Sequence, residues 1–305
     1  MSKLTVPIRL AALDLDGTLL DSRSAVTPAT QQAIEKAASL GVVVLPATGR
    51  PLASLPPVVA KLPGVRYAIT SNGAAVWDLG ANPLASVYSR YANAAERETA
   101  EPVCIIKHIF TAEKAREVFD VFMRFNGELS IFSDGKAIKS AESMRRFEER
   151  FRKRHSTEAK QPNDGRFHIV RDPAEWMSRN AHEIEKLCMF FDSIEQAQTA
   201  LSAFTALDGV EVVQGSPDNI EVTAKGVDKG EALLGLAQYL GIQREATLAV
   251  GDSENDLAML QKAGVSAAMC NGMEHIKAAA DYVSTKSCNE DGVAELFSRL
   301  GLLGG

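Results

Sequence analysis

Cysteine is scarce in this chain. Cys104, Cys188, Cys270 and Cys288 are scattered over 305 residues, with no Cys-x-x-Cys pair and no nearby histidine pair. That excludes a disulfide framework and a zinc site, and it predicts reduced thiols in a cytosolic protein. The five histidines, His108, His155, His168, His182 and His275, have no metal-ligating spacing. Long apolar runs are missing too: no stretch approaches the length of a membrane span. The opening MSKLTVPIRL lacks an apolar segment of signal-peptide length. Positive charge is not in excess. Lys and Arg number 33 against 39 Asp and Glu, a formal −6, which argues against general nucleic-acid binding. Internal repeats and low-complexity tracts are absent. What remains has ordinary apolar content and enough length for two domains.

The first third alternates strand and helix. Ile8 to Leu13 reads as a buried strand, and Thr27-Pro28 as an N-cap with proline at the first helical position. The helix runs to about Leu40 and stops at Gly41. Val42 to Pro46 is a second strand, Pro51 opens a helix, and Tyr67 to Thr70 is a third strand before the turn Ser71-Asn72-Gly73. This order implies a parallel sheet with right-handed crossovers. The rhythm returns near the C-terminus: Asn219 to Thr223, Thr247 to Val250, Val265 to Met269 and Tyr282 to Ser284 as strands, Lys229 to Leu240 as a helix.

The middle differs. Val103 to Phe110 reads as a strand and Thr111 as the cap of a helix through Phe125. Asp134-Gly135 between Leu129–Ser133 and Lys136–Lys139 is a hairpin signal. Further strands near Phe167–Val170, Lys186–Phe191 and Val210–Val213 complete an α+β insert. The expected organisation is an α/β core of residues 1–90 and 216–305 with an insert of residues 91–215, joined near Arg90 and Ser216. The basic run RRFEERFRKRH, Arg145 to His155, reads as a solvated helix face with Phe147 and Phe151 turned to the insert's sheet; the alternative is a patch attracting anions. Phe132, Trp176, Phe190 and Phe191 read as core.

Four short motifs sit at predicted strand ends or helix starts. In Asp14-Leu15-Asp16-Gly17-Thr18, two carboxylates stand where a buried strand ends, the place where α/β proteins put ligand chemistry. They suit a cation, a nucleophile with an acid/base partner, or both. A calcium loop is excluded, because the glycine falls too early and Ala25 stands where the bidentate glutamate belongs. Thr48-Gly49-Arg50 offers a hydroxyl and backbone N–H groups, suited to a helix cap or to phosphate oxygens. Arg50 itself suits a surface or interdomain pair as well as a substrate contact.

In Gly226-Val227-Asp228-Lys229-Gly230, Asp228 is a good N-cap. Lys229 then falls in the first turn, where the helix dipole disfavours a cation. Its alternatives are a solvated ammonium or one that holds a nucleophile and a phosphoryl oxygen. In Gly251-Asp252-Ser253-Glu254-Asn255-Asp256, Ser253 and Asp256 match a capping box. Asp252 ends an apolar strand, as Asp14 does. Neighbouring strand ends would bring the two carboxylates together, and a divalent cation would resolve their repulsion. Oxygen-only ligation suits Mg²⁺.

In this order the motifs LDLDGTLLDS, ATGRP, SNGA, KGVDKGEAL and GDSENDLAML resemble the haloacid dehalogenase-like (HAD) phosphatases, and most closely their Cof-type subgroup. The resemblance implies a Rossmann-like parallel-sheet core with an inserted α+β cap domain that sets substrate specificity. It implies that Asp14 becomes a phosphoaspartate. Asp16 would be the general acid/base and would give its backbone carbonyl to Mg²⁺, and Asp252 would complete the metal contacts. Thr48, Gly49, Lys229, Asn255 and the backbone of Leu15 would hold phosphate, with Asp256 supporting them. The expected activity is Mg²⁺-dependent hydrolysis of small phosphorylated metabolites, such as sugar phosphates or phosphorylated cofactors, by a cytoplasmic enzyme that needs neither nucleic acid nor membrane. The alternatives are a sugar-phosphate mutase or phosphotransferase and a non-catalytic regulator that binds a phospho-ligand.

Overall fold

The computed structural model describes residues 6–81, 87, 101–154 and 166–304. The linker expected near Arg90 and the end of the basic run at His155 lie outside the described residues. The chain forms two compact units. One comprises Met1–Arg50, Leu55–Ile106 and Asp228–Gly305, the other Pro51–Ser54 and Lys107–Val227.

The first unit is built on a parallel sheet of β1 (Leu10–Leu13), β2 (Val43–Pro46), β12 (Thr247–Gly251), β13 (Val265–Ala268) and β14 (Tyr282–Val283), in the order β14-β13-β12-β1-β2. The strands are nearly continuous apolar runs, LAAL, VVLP, TLAVG and VSAA, and almost every residue is buried. Runs without alternation are what a parallel sheet covered on both faces requires. Helix Pro28–Ser39 starts as the sequence predicts: Thr27 accepts the N–H of Thr30, and Pro28 occupies the first turn. Leu10, Leu45 and Ala249 pack with Leu233 and Leu236 of helix Lys229–Tyr239 in one apolar core.

Three sequence readings are corrected in this unit. β3 (Tyr67–Thr70) does not extend the main sheet. It pairs antiparallel with β4 (Ala75–Asp78) in a separate sheet ordered β3-β4-β5, where β5 is Val103–Lys107, and it meets the main sheet through one parallel bridge, Ala47 to Ile69. β5 was expected in the insert. Pro51 opens no long helix; a 3₁₀ turn over Leu52–Ser54 and a short helix Pro57–Ala60 follow.

The second unit carries a six-stranded sheet: β6 (Gly127–Ser133), β7 (Lys136–Ser140), β8 (Phe167–Val170), β9 (Ile184–Phe191), β10 (Val210–Val213) and β11 (Asn219–Ala224), ordered β10-β11-β9-β6-β7-β8. β11, read from the sequence as part of the core, pairs antiparallel with β9 and β10 here. Asp134 and Gly135 both take positive φ, 49° and 71°, as a two-residue turn matching the twist of β6 and β7 demands. Helices Ala112–Phe122 and Ile194–Thr205 cover one face, with the Phe122 and Phe204 rings 4.3 Å apart at their centroids. Helix Ala141–Arg154 places Phe147 against Phe167, as its spacing suggests. Its Arg150 is not a solvated charge. It bonds Glu128 at 2.8 Å and lies over the Phe190 ring, while buried Lys139 takes the other Glu128 oxygen at 2.7 Å.

Candidate active site

The first unit's parallel pairing decides where the acids meet. β1 lies beside β12 with Leu13 opposite Val250, so Asp14 and Asp252 leave neighbouring strands at the same, C-terminal end of the sheet. Parallel neighbours run about 4.8 Å apart, which is within carboxylate reach. Oxygen atoms of Asp14, Asp252 and Asp256 all lie within 4.8 Å of one another.

Lys229 is the counter-charge. Its Nζ donates to Asp14 Oδ1 at 2.5 Å and to Asp256 Oδ1 at 2.8 Å, and its side chain is 0 % exposed. The placement is set locally. Asp228 caps the helix by accepting the N–H groups of Gly230 and Glu231, which sends the next side chain inward from the first turn. Gly73 allows this approach: it has φ +98°, and a Cβ there would stand 2.1 Å from the Asp228 carbonyl oxygen. Of the two readings open for Lys229, the solvated ammonium is excluded by its burial.

Asp256 does two things. Its Oδ2 accepts the N–H groups of Asp252 and Ser253, as the capping-box reading expects, and its Oδ1 takes Lys229. It sits in the carboxylate cluster with both oxygens engaged. Thr18 Oγ1 donates to Asp252 Oδ1 at 2.9 Å. Among the described residues the second oxygens of Asp14 and Asp252 take no hydrogen bond.

Burial, with the Asp256 charge beside it, raises the Asp14 carboxyl well above the usual aspartate value despite Lys229. Asp252 is pushed up to about 7, first by burial and then by Asp256. Burial works against the Lys229 ammonium, but Asp14 and Asp256 outweigh it and hold the group above the ordinary lysine value. Three carboxylates around one ammonium leave a net negative, largely buried site, and every donor is oxygen. Such a set fits a small hard dication, Mg²⁺ above all.

The remaining predicted residues fall as follows. Leu15 is fully buried and its carbonyl accepts the N–H groups of Thr18 and Leu20. Thr48 is buried, with its hydroxyl accepting the Arg50 N–H at 3.1 Å, so it caps a turn and not a helix. Gly49 lies half-buried between them. Asn255 donates to Asn72 Oδ1 at 3.3 Å and accepts from Ser253 Oγ at 3.0 Å. The Asp16 side chain is not in the carboxylate cluster: it is 60 % exposed and paired with Arg50.

Sequence reasoning missed Asn72 and Asn271 as site residues. Asn271 Nδ2 donates to the Gly17 carbonyl at 2.8 Å, and its Oδ1 accepts the Cys288 N–H, tying the loop that carries Asp14 and Asp16 to the C-terminal segment. Asn72 was visible as a turn residue but its partner lies 183 positions away. Asn271-Gly272 after the strand of Val265–Ala268 was a similar signal.

A family model described as haloacid dehalogenase-like hydrolase matches residues 11–297. A 5-amino-6-(5-phospho-D-ribitylamino)uracil phosphatase of Bacillus subtilis is 27 % identical over 290 residues, 95 % of this chain and 94 % of that one. A second Bacillus subtilis phosphatase is 28 % identical over 314 residues, covering 96 % of this chain and all 100 % of its own. Among solved structures, a haloacid dehalogenase-like hydrolase from Bacillus subtilis superposes with a TM-score of 0.77 at 25 % identity, over 96 % of this chain and 100 % of the other.

Proposed function

The chain belongs to the haloacid dehalogenase-like hydrolases, and on that premise we propose that it is a Mg²⁺-dependent phosphatase of small phosphorylated metabolites working through Asp14. The observation that carries this reading is the buried cluster of Asp14, Lys229 and Asp252 at the ends of two adjacent parallel strands. A carboxylate held against a buried ammonium, beside a second acid with no ammonium of its own, suits attack on a phosphorus whose oxygens need positive charge around them.

Asp14, Asp252 and the Asp16 carbonyl would hold Mg²⁺. The bound ion supplies neutralisation of the phosphoryl oxygens as charge shifts onto the leaving group. An oxygen of Asp14 attacks phosphorus, and the electron pair of the breaking P–O bond goes to the leaving oxygen, which takes a proton from Asp16. In the second half, water attacks the phosphorus of the aspartyl phosphate and gives its proton to Asp16. The bond to Asp14 breaks, restoring the carboxylate and freeing inorganic phosphate. Lys229 steadies Asp14 and faces the phosphoryl oxygens. Thr48, Gly49, Asn255 and the Leu15 backbone orient the phosphate, and Asp256 holds Lys229.

Choice of the organic group is assigned to the insert read at residues 91–215. The named substrate of the 27 % identical relative favours a phosphorylated ribityl or sugar-like alcohol. Phosphate release from p-nitrophenyl phosphate, with Mg²⁺ and with chelator, tests the reading. Activity is expected with the ion, and none with chelator or in Asp14→Asn. A rate with Mg²⁺ that equals the rate with chelator, or the rate of Asp14→Asn, overturns it. Appearance of ¹⁸O from labelled water in the released phosphate separates hydrolysis from transfer.

A further inference from the structure

We infer that Arg50 is a positioning residue for Asp16, holding its carboxylate as proton acceptor for the second half-reaction. The inference rests on the phosphatase reading above. Arg50 meets Asp16 with a fork: Nε donates to Oδ2 at 3.0 Å and Nη2 to Oδ1 at 2.5 Å. Arg50 is 31 % and Asp16 60 % exposed by side chain. A pair so placed on an ordinary surface contributes little to stability and orders little.

This pair has an unusual mounting. The Arg50 N–H donates to Thr48 Oγ1 at 3.1 Å, and its carbonyl accepts the Ser71 N–H at 2.9 Å. Thr48 is 2 % and Ser71 0 % exposed, so the arginine backbone is anchored on both sides to buried groups. Ser71, Asn72 and Gly73 take φ of +53°, +58° and +98° in succession. Left-handed backbone at serine and asparagine is strained and persists only where the surroundings dictate it. The segment that grips Arg50 is also the one whose Asn72 accepts from Asn255. A rigid base thus carries a planar fork onto the one acid of the site that is otherwise free to rotate in solvent.

The fork also chooses between the two jobs of Asp16. Two donors against two acceptor oxygens suit the carboxylate that takes a proton from water. A carboxyl group delivering its proton to the leaving oxygen must give up one of these bonds. Loss of Arg50 therefore slows breakdown of the aspartyl phosphate more than its formation.

The test follows the full-length protein with Mg²⁺ and ³²P-labelled p-nitrophenyl phosphate. The nitrophenol burst gives formation, and label on acid-quenched protein, chased with unlabelled substrate, gives breakdown. Arg50→Met is expected to slow the chase about tenfold to a hundredfold, a part of what a positioned base contributes. The burst rate should stay within about threefold, because only the base half loses its support. Arg50→Lys, charged but without the fork, should fall between wild type and Arg50→Met. Equal slowing of both phases, or an unchanged chase, overturns the inference. Should Arg50→Met fail to fold by circular dichroism, Arg50→Lys decides by the same two rates. Wild type without turnover would sink the phosphatase reading; wild-type turnover with an unaltered chase in the variants sinks only the role of Arg50.

Discussion

Replacing Lys229 by methionine is the sharpest perturbation of this site. Methionine keeps most of the side-chain volume, so the change is chiefly one of charge. Lys229 is completely buried and holds Asp14 at 2.5 Å and Asp256 at 2.8 Å, with Asp252 inside the same 4.8 Å cluster. Removing one partner of a buried ion pair costs about 3–5 kcal/mol, because the remaining charges stay desolvated without compensation. Protonation offers the only relief in metal-free protein. Asp14 and Asp252 already sit above the usual aspartate range through burial, and loss of the ammonium, which lowers both, moves them further up. A carboxyl whose folded value is raised contributes stability that is full below its unfolded value near 3.8 and is lost as pH rises through the folded value. The deficit of Lys229→Met must therefore grow between pH 5.5 and pH 8.

Urea unfolding in chelator is the assay. Trp77, 1 % exposed in the first unit, reports the site's own unit once Trp176 of the second unit is replaced by phenylalanine in both proteins. At pH 8 a loss of about 3–5 kcal/mol should lower the midpoint by roughly 1–2 M. At pH 5.5 the gap should shrink to less than half. Millimolar Mg²⁺ should restore part of the loss by binding only the folded state. A loss below about 1 kcal/mol at pH 8, or one that does not change with pH, refutes the assignment of Lys229 as the buried counter-charge.

Two other outcomes follow from the same geometry. Burial and the Asp256 charge push the Asp252 carboxyl up to about 7, so the proposed Mg²⁺ would have to displace a proton below that pH; apparent Mg²⁺ affinity by calorimetry should fall about tenfold per unit below pH 7, and a flat profile from pH 5.5 to 8 would contradict it. Gly73→Ala places a methyl 2.1 Å from the Asp228 carbonyl oxygen at a φ of +98°. Such a clash at left-handed backbone should cost about 2 kcal/mol or more, seen as a drop of roughly 5 °C or more in the melting midpoint; an unchanged midpoint would show that the Asp228–Lys229 segment is not held where described.

Much of the site was legible because its parts are local. Asp14 and Asp252 each end an apolar strand, and Asp228 and Ser253 with Asp256 carry capping signatures that place the following side chains. The Asp134-Gly135 turn was legible for the same reason: only residues tolerant of positive φ close a two-residue hairpin. Strand partners were not legible. β5 and β11 look like core or insert strands equally well, since alternation along a segment says nothing about which edge its N–H groups will meet. From local pattern Asp256 reads as a cap, because one of its oxygens serves that purpose; the other serves a lysine 27 positions earlier, and only the family resemblance pointed to a supporting role at the site.

The chain's order of residues thus determined which groups stand at strand ends and helix starts, and so which chemistry is available. Family membership followed from that order. Tertiary structure decided the rest: that Lys229 is buried between two carboxylates, that Asp16 turns away from them to Arg50, and that Asn72 and Asn271 tie distant loops to the site. The physical reason is range. Capping, turn formation and burial periodicity act over a few residues and leave their mark in sequence. Ion pairing and strand pairing act across gaps of tens to hundreds of residues and depend on which surfaces the sheet brings side by side.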